Sequence, residues 1–324
     1  MVDLPESVHI REVGPRDGFQ NEPETIPTER KVELIDMLAR TGLPRLEVTS
    51  LVRPDIIPQL ADAAEVLARI EVPQEVAIGV LVPNERGLIR ALELRESNPD
   101  ARPAFEEIDV FLSASESHNR KNVNRSIEES LTSLERVLAR ARDEGLRCEG
   151  VISTSFGCPY EGHVPPERVL DIAARLRDAG AQEIGFGDTT GMANPLQVGD
   201  FFALAFDTLG SETAGGPQLT AHFHNTRGQG LANVLAALQA GITSFESSFG
   251  ELGGCPVPAG ATGNIATEDL VCMLHEMGVS TGVDLDALLA CSLRVQEVLG
   301  RRLGSHTLLA GAIDWRERPS AAGE

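Results

Sequence analysis

The chain has 324 residues, 42% of them hydrophobic and 24% charged, with a formal net charge of −21 and a pI near 4.7. So acidic a balance makes nucleic acid and anionic membrane surfaces poor partners, and an anionic small substrate would need a local positive patch against the global field. The start, Met1 to Ser7, has neither a basic cluster nor an apolar run, and no stretch approaches a spanning helix, so a cytoplasmic soluble protein is expected.

In chain order, strands alternate with helices. His9 to Val13 is a short strand, and Thr28 to Arg40 has helical spacing, with Val32, Leu34, Ile35 and Leu38 apolar and Thr28 as N-cap. Leu46 to Thr49 is a strand and Ile57 to Ile70 a helix. Val76 to Val82 is a near-continuous apolar run of the kind buried parallel strands show, followed by a weaker helix over Ile89 to Arg95. Ile108 to Leu112 is a strand before the long helix Ser126 to Glu144. Cys148 to Ser153 precedes a helix opened by prolines, Pro166 to Ala179. Glu183 to Gly187, Leu196 to Leu209, Leu219 to Phe223 and Ala232 to Ala240 continue the alternation. Ser244 to Ser248 is the last strand and Thr267 to Met277 the helix after it. Eight βα units in about 280 residues predict an α/β fold, a TIM (β/α)8 barrel spanning roughly 8–280 within a single domain. A further helix is expected over 284–304, and the tail from Asp314 is expected to fray. The competing fold is a doubly wound open sheet, but no glycine-rich nucleotide fingerprint follows the first strand.

In a TIM barrel the chemistry sits where strands end. The seventh strand ends in His222-Phe223-His224, whose two imidazoles point to one face and suit a divalent metal; a pair of satisfied core histidines is the alternative. The first strand runs into Gly14-Pro15-Arg16-Asp17-Gly18, where Asp17 offers a hard oxygen ligand and Arg16 a fixed cation, unless the two are a solvated pair. Glu47 stands in an otherwise apolar second strand and has either a catalytic role or an arginine partner across the barrel mouth. Asp188 ends the sixth strand at the same face. After the eighth strand comes a loop with five glycines and two prolines from Gly250 to Asn264, with Cys255 at its centre and Asn264 at its end. That setting favours a reactive Cys255, whereas Cys148, Cys272 and Cys291 lie in strand or helix patterns and are expected to pack. The five cysteines are an odd number without a CxxC pair, as in a reducing compartment.

Seven motifs, in order, resemble the 3-hydroxy-3-methylglutaryl-CoA lyase family, metal-dependent lyases and carboligases built on a TIM barrel. They are Glu-Val-Gly-Pro-Arg-Asp-Gly-Phe-Gln-Asn (12–21), Leu-Glu-Val-Thr-Ser (46–50), Lys-Asn-Val-Asn-Arg-Ser-Ile-Glu-Glu-Ser (121–130), Gly-Cys-Pro-Tyr-Glu-Gly (157–162), Gly-Asp-Thr-Thr-Gly (187–191), His-Phe-His-Asn-Thr (222–226), and Gly-Gly-Cys-Pro with the segment 263–271. The resemblance implies a divalent metal, Mg²⁺ or Mn²⁺, held by Asp17, His222, His224 and Asn264. It implies Arg16 as electrostatic stabiliser, Glu47 and Asp188 as supporting polar groups, and Cys255 on a loop that closes over an acyl-CoA substrate, with Cys255 or His222 as proton donor. Gln20 and Ser50 are expected to contact substrate, and a homodimer is expected. The chain departs from the pattern at Asn225, Arg227 and Glu251. Arg227 and Glu251 are therefore expected at the pocket mouth, meeting each other or the substrate and biasing the choice of acyl chain. A synthase-type carboligase using acetyl-CoA and a non-catalytic metabolite-binding barrel are the competing functions.

Overall fold

The structure is a computed structural model and describes residues 4–95, 104–254 and 263–313. Eight parallel strands close into a barrel in sequence order: β1 (His9–Glu12), β2 (Arg45–Ser50), β3 (Ala77–Leu81), β4 (Glu107–Ser113), β5 (Arg147–Ser153), β6 (Glu183–Asp188), β7 (Gln218–Phe223) and β8 (Ser244–Ser247). Closure is made by β1 against β8, with Ile10 opposite Phe245. The helices are α1 (Thr28–Leu38), α2 (Ala63–Arg69), α3 (Glu85–Arg95), α4 (Glu116–Val123), α5 (Ile127–Asp143), α6 (Pro166–Asp178), α7 (Pro195–Leu209), α8 (Gly230–Gln239), α9 (Thr267–Glu276), α10 (Leu285–Leu299) and α11 (His306–Ala310). The expected TIM barrel is the fold found, and α10 is the expected extra helix. The tail from Asp314 lies outside the described residues.

Alternation along each strand separates two environments. Outward residues such as Ile10, Val48, Ile78, Val110, Ile152, Phe186 and Phe245 are buried against the helix ring. Phe186 and Phe156 both pack on Phe201 of α7 with ring centroids 5.0 Å apart. Inward positions carry charge instead of the branched aliphatic layers usual in such barrels. The Arg11 guanidinium lies among Glu107 (3.2 Å), Asp109 (2.7 Å), Glu149 and Glu246 (3.4 Å). Below it Arg45 makes a two-pronged contact with Glu183, at 2.9 and 2.7 Å. Gly79 makes room for this cluster, since a Cβ there would stand 2.6 Å from Arg11 Nη2.

Three local expectations are corrected. The segment 57–70 is not one helix but a short turn, Pro58–Leu60, followed by α2. Thr28 is the first helical residue of α1, not its cap. Its Oγ1 donates to Asp62 Oδ2 at 2.7 Å, and Lys31 Nζ reaches the other Asp62 oxygen at 2.6 Å. The sequence reading also lacked α4 and α11. The first has Val123 as its one apolar residue, so it has no apolar period; Ser115 caps it by accepting from His118 N at 3.1 Å. The second is held by Asp269, which accepts from Ser305 Oγ and from the backbone N–H of His306 and Thr307. The capping box of α5, Ser126 with Glu129, stands where the sequence places the helix start.

Candidate active site

The C-terminal ends of the strands surround a cavity of about 420 Å³. Residues two apart enter its wall together, as the period of a strand requires: Asp109 with Phe111, Val151 with Ser153, Gly187 with Thr189, and His222 with His224. Three candidate metal ligands meet here. One ligand atom each from Asp17, His222 and His224 can be chosen so that all lie within 4.8 Å of one another. The histidine rings are 5.3 Å apart, centroid to centroid.

Asp17 reaches the triad because the chain leaves β1 in one wide helical turn, Gly14–Gly18, whose Asp17 N–H donates to Val13 O at 2.7 Å. Its carboxylate is then held on both oxygens. Oδ1 accepts from Arg16 Nη1 at 2.8 Å and Gln20 Nε2 at 2.9 Å, and Oδ2 accepts from Asn264 Nδ2 at 2.8 Å. Burial alone would raise the Asp17 pKa, but Arg16, His222 and His224 outweigh it and the value falls, so the group is anionic. Asn264 arrives because the segment after the loop returns to β7: Ile265 N–H donates to Phe223 O at 3.0 Å, and His224 and Asn264 form a backbone bridge. The Asn264 amide nitrogen also donates to Leu252 O at 3.0 Å, while Oδ1 is buried with no hydrogen-bond partner among the described residues. A hard oxygen left over beside a carboxylate and two imidazoles fits a divalent cation. Gly253 crosses this site at φ 102°, where a Cβ would stand 2.6 Å from Asn264 Nδ2 and 2.9 Å from Asp17 Oδ2. No side chain could pass there.

His222 shows its own support. It lies opposite Glu246 in the β7–β8 register, and its Nδ1 is 2.8 Å from Glu246 Oε2. Burial lowers the His222 pKa, but Glu246 and Asp17 reverse the shift and raise it. With Nδ1 engaged by the carboxylate, Nε2 is the nitrogen left for a cation. Glu246 has no evident role in the sequence alone; its one signal is a lone charge inside the strand Ser244-Phe245-Glu246-Ser247.

Glu47 lines the cavity and has the expected arginine partner. Its Oε2 lies 2.8 Å from Arg16 Nε, so Arg16 is clamped between Asp17 and Glu47 with its face on the cavity. Gln20 lines the cavity as well. Ser50 and Asp188 are buried but absent from the cavity wall. Ser50 Oγ accepts from Val52 N–H, and Asp188 Oδ1 accepts from Met192 and Ala193 N–H at 2.8 and 3.1 Å. Asp188 therefore shapes the turn after β6, and burial pushes its pKa up to about 7. Cys255 lies outside the described residues.

Arg227 and Glu251 do not meet, and neither lines the cavity, contrary to expectation. Arg227 Nη1 donates to Thr190 O at 2.9 Å and Gly191 O at 2.7 Å, and Glu251 Oε1 accepts from Asn225 Nδ2. The far wall instead carries residues of α4 and its neighbours. His118 is buried, and burial lowers its pKa; Lys121 Nζ sits 3.6 Å over the Tyr160 ring.

The HMGL-like family model matches residues 7–295. The chain belongs to that family. Among its HMGL-like relatives, hydroxymethylglutaryl-CoA lyase YngG of Bacillus subtilis is 45% identical over 94% of this chain and 97% of its own. The crystal structure of hydroxymethylglutaryl-CoA lyase from Pseudomonas aeruginosa superposes with a TM-score of 0.88 at 40% identity, covering 95% of this chain and 98% of that one. An HMG-CoA lyase from Acinetobacter baumannii, solved in complex with coenzyme A and 3-methylmalate, has a TM-score of 0.87 at 38% identity, covering 96% and 97%. HMGL-like chains are divalent-metal-dependent lyases, which agrees with the donor set found at the mouth of this barrel.

Proposed function

We propose that the chain is a carbon–carbon lyase that cleaves 3-hydroxy-3-methylglutaryl-CoA, or a closely related 3-hydroxyacyl-CoA, to acetyl-CoA and a 3-oxo acid, acetoacetate in the first case. The observation that carries this reading is the meeting of Asp17, His222 and His224 within 4.8 Å, with Arg16 clamped beside them on one cavity wall. The family relationship sets the class of reaction.

Asp17, His222 and His224, with Asn264 beside them, would hold Mg²⁺ or Mn²⁺, which when bound supplies Lewis acidity to the substrate's hydroxyl and acyl oxygens. In the reaction the 3-hydroxyl gives its proton to a basic group of the site, C3 becomes a ketone, and the C2–C3 electron pair passes to C2 as a thioester enolate; the proton taken from oxygen balances the one delivered to carbon. A proton delivered to C2 completes acetyl-CoA. Arg16 is permanently cationic and cannot swing away, because Asp17 and Glu47 hold it from two sides. It stabilises charge developing on the thioester oxygen without reorganising. Glu246 fixes the His222 ring. Leu81, Phe111 and Val151 give the cavity an apolar side that keeps water from the enolate. Cys255 is the proton donor in this reading, on the sequence argument of its glycine-rich loop. The native assembly is taken as a cytoplasmic homodimer on the family resemblance; among the described residues no helix is long and apolar enough to cross a membrane.

The test is acetyl-CoA release from 3-hydroxy-3-methylglutaryl-CoA and from longer 3-hydroxyacyl-CoA homologues, with protein loaded with Mg²⁺ or Mn²⁺. Turnover of at least one of them, abolished by Asp17→Ala, is expected. No release from any of them by a folded, metal-loaded protein would overturn the reading.

A further inference from the structure

Three adjacent strands put Arg11, Glu246 and His222 in one row. Arg11 of β1 stands opposite Glu246 of β8, and Glu246 stands opposite His222 of β7. The side chains keep that order. Glu246 Oε2 is 2.8 Å from His222 Nδ1, and Arg11 Nη1 donates to the other oxygen, Oε1, at 3.4 Å. One carboxylate is thus held from two sides, by a guanidinium inside the barrel and by an imidazole on the cavity wall.

Arg11 lies behind the cavity wall. It is 1% exposed and does not line the cavity, whereas Glu246 and Asp109 do. It reaches across the barrel to Asp109 at 2.7 Å and to Glu149, two carboxylates that oppose each other in the β4–β5 register. Two inward glycines leave the room for this. A Cβ on Gly79 would stand 2.6 Å from Arg11 Nη2, and one on Gly185 would stand 2.5 Å from Glu149 Oε1. Glycine inside a strand weakens it, and a buried ion cluster gives little stability that well-packed apolar side chains would not give. Stability therefore does not account for the cluster. A role at the site does, and the row of three leads to His222.

We propose that Arg11 is a positioning residue for His222: by holding Glu246 Oε1 it fixes the carboxylate that orients the imidazole, and so raises the affinity of the site for a divalent cation. The inference rests on the reading of Asp17, His222 and His224 as cation ligands and deepens it. Tied at both oxygens, Glu246 cannot turn away from His222 Nδ1, and Nε2 is kept facing the ion. Arg11 itself faces neither substrate nor ion and acts only through Glu246.

The experiment measures Mn²⁺ binding by calorimetry. Arg11→Met with Glu149→Met removes one charge of each sign and refills the interior with apolar atoms. The control is Arg45→Met with Glu183→Met, an ion pair of the same interior in which the guanidinium holds Glu183 and Glu107 instead of Glu246. The first double variant should bind Mn²⁺ roughly tenfold more weakly than wild type, and the control within about twofold of it. Glu246→Gln should weaken binding at least roughly tenfold in wild type, yet at most about twofold when added to the first double variant, because both changes release the same carboxylate. Should that double variant fail to fold, Arg11→Lys keeps the charge but loses the fork, and should bind Mn²⁺ at least about threefold more weakly. An affinity within about twofold of wild type in whichever Arg11 variant folds, additive losses with Glu246→Gln, or an equal loss in the control would overturn the proposal. The two readings fail separately. Wild-type protein that binds no Mn²⁺ sinks the cation site itself, whereas Mn²⁺ binding indifferent to Arg11 sinks this inference alone.

Discussion

Asn225 Nδ2 donates to Glu251 Oε1 at 2.7 Å, joining the loop that follows the histidine pair of β7 to the turn that follows β8. Glu251 is held there at φ 62°, in the left-handed region that a non-glycine residue enters only under constraint. It is half-buried, and burial raises its pKa while Asn225 pulls it back. The two departures from the family pattern are thus one unit, since an aspartate at 225 would set two carboxylates against each other. Asn225→Asp should destabilise the protein by about 1–3 kcal/mol, read as a lower Tm, and adding Glu251→Gln should restore most of it. Equal melting of Asn225→Asp and wild type would dissolve the coupling.

Arg227 spends its guanidinium on the carbonyls of Thr190 and Gly191, not on Glu251 or the cavity. The double variant Arg227→Tyr, Glu251→Ala should therefore keep the wild-type ratio of kcat/KM between 3-hydroxy-3-methylglutaryl-CoA and a longer homologue within about twofold. Its Tm should fall, with about 1 kcal/mol lost for the exposed Arg227 contacts. A tenfold change in the ratio would return these residues to substrate selection.

Glu246 should act on cation affinity through His222. Glu246→Gln is expected to weaken Mn²⁺ binding by roughly 10–100-fold in calorimetry, and Asp17→Ala or His224→Ala to abolish it. Protein stripped with EDTA should lose turnover and regain it with Mg²⁺ or Mn²⁺. Full turnover in a rigorously metal-free sample would falsify the metal dependence.

Glu12 predicts a pH effect on stability. Burial pushes its pKa from 4.5 up to about 8, although Thr267 Oγ1 and the N–H groups of Gly14 and Phe249 donate to it. Its folded value lies above its unfolded one, so protonation favours the fold. The contribution is complete below pH 4.5 and is lost as pH rises through about 8, with an upper bound of about 5 kcal/mol. Glu268, pushed up to about 7, adds in the same direction. Glu183 works oppositely: Arg45 outweighs burial and lowers its pKa to about 2, so its support is lost as pH falls from 4.5 through 2. Thermal melts from pH 5 to 9 should show Tm declining on the alkaline side, and Glu12→Gln should flatten that decline. A variant that melts with the wild-type pH profile would contradict the assignment.

Cys255→Ala should lower kcat by roughly 10²-fold, the scale of a lost proton donor, with Tm unchanged. In the sequence Cys255 stands between Gly253-Gly254 and Pro256, a setting that favours a reactive thiol over a packed one. A variant with wild-type kcat removes Cys255 from the chemistry.

The alternation of strand and helix patterns, the charge balance and the seven motifs were legible in the chain itself, because periodicity and turn chemistry are local. They led to the barrel, to the strand ends that bear Asp17, His222 and His224, and to the family. Partners remote in the chain were not legible. Arg16 could have been a solvated residue until β2 brought Glu47 to 2.8 Å, and Glu246 had no visible role until the β7–β8 register set it against His222. Arg227 and Glu251 looked like neighbours by their spacing from the site, yet backbone carbonyls claimed one and Asn225 the other. Sequence period determines which face a side chain leaves by; only closure of the barrel decides what it then touches, because each contact depends on elements far apart in the chain.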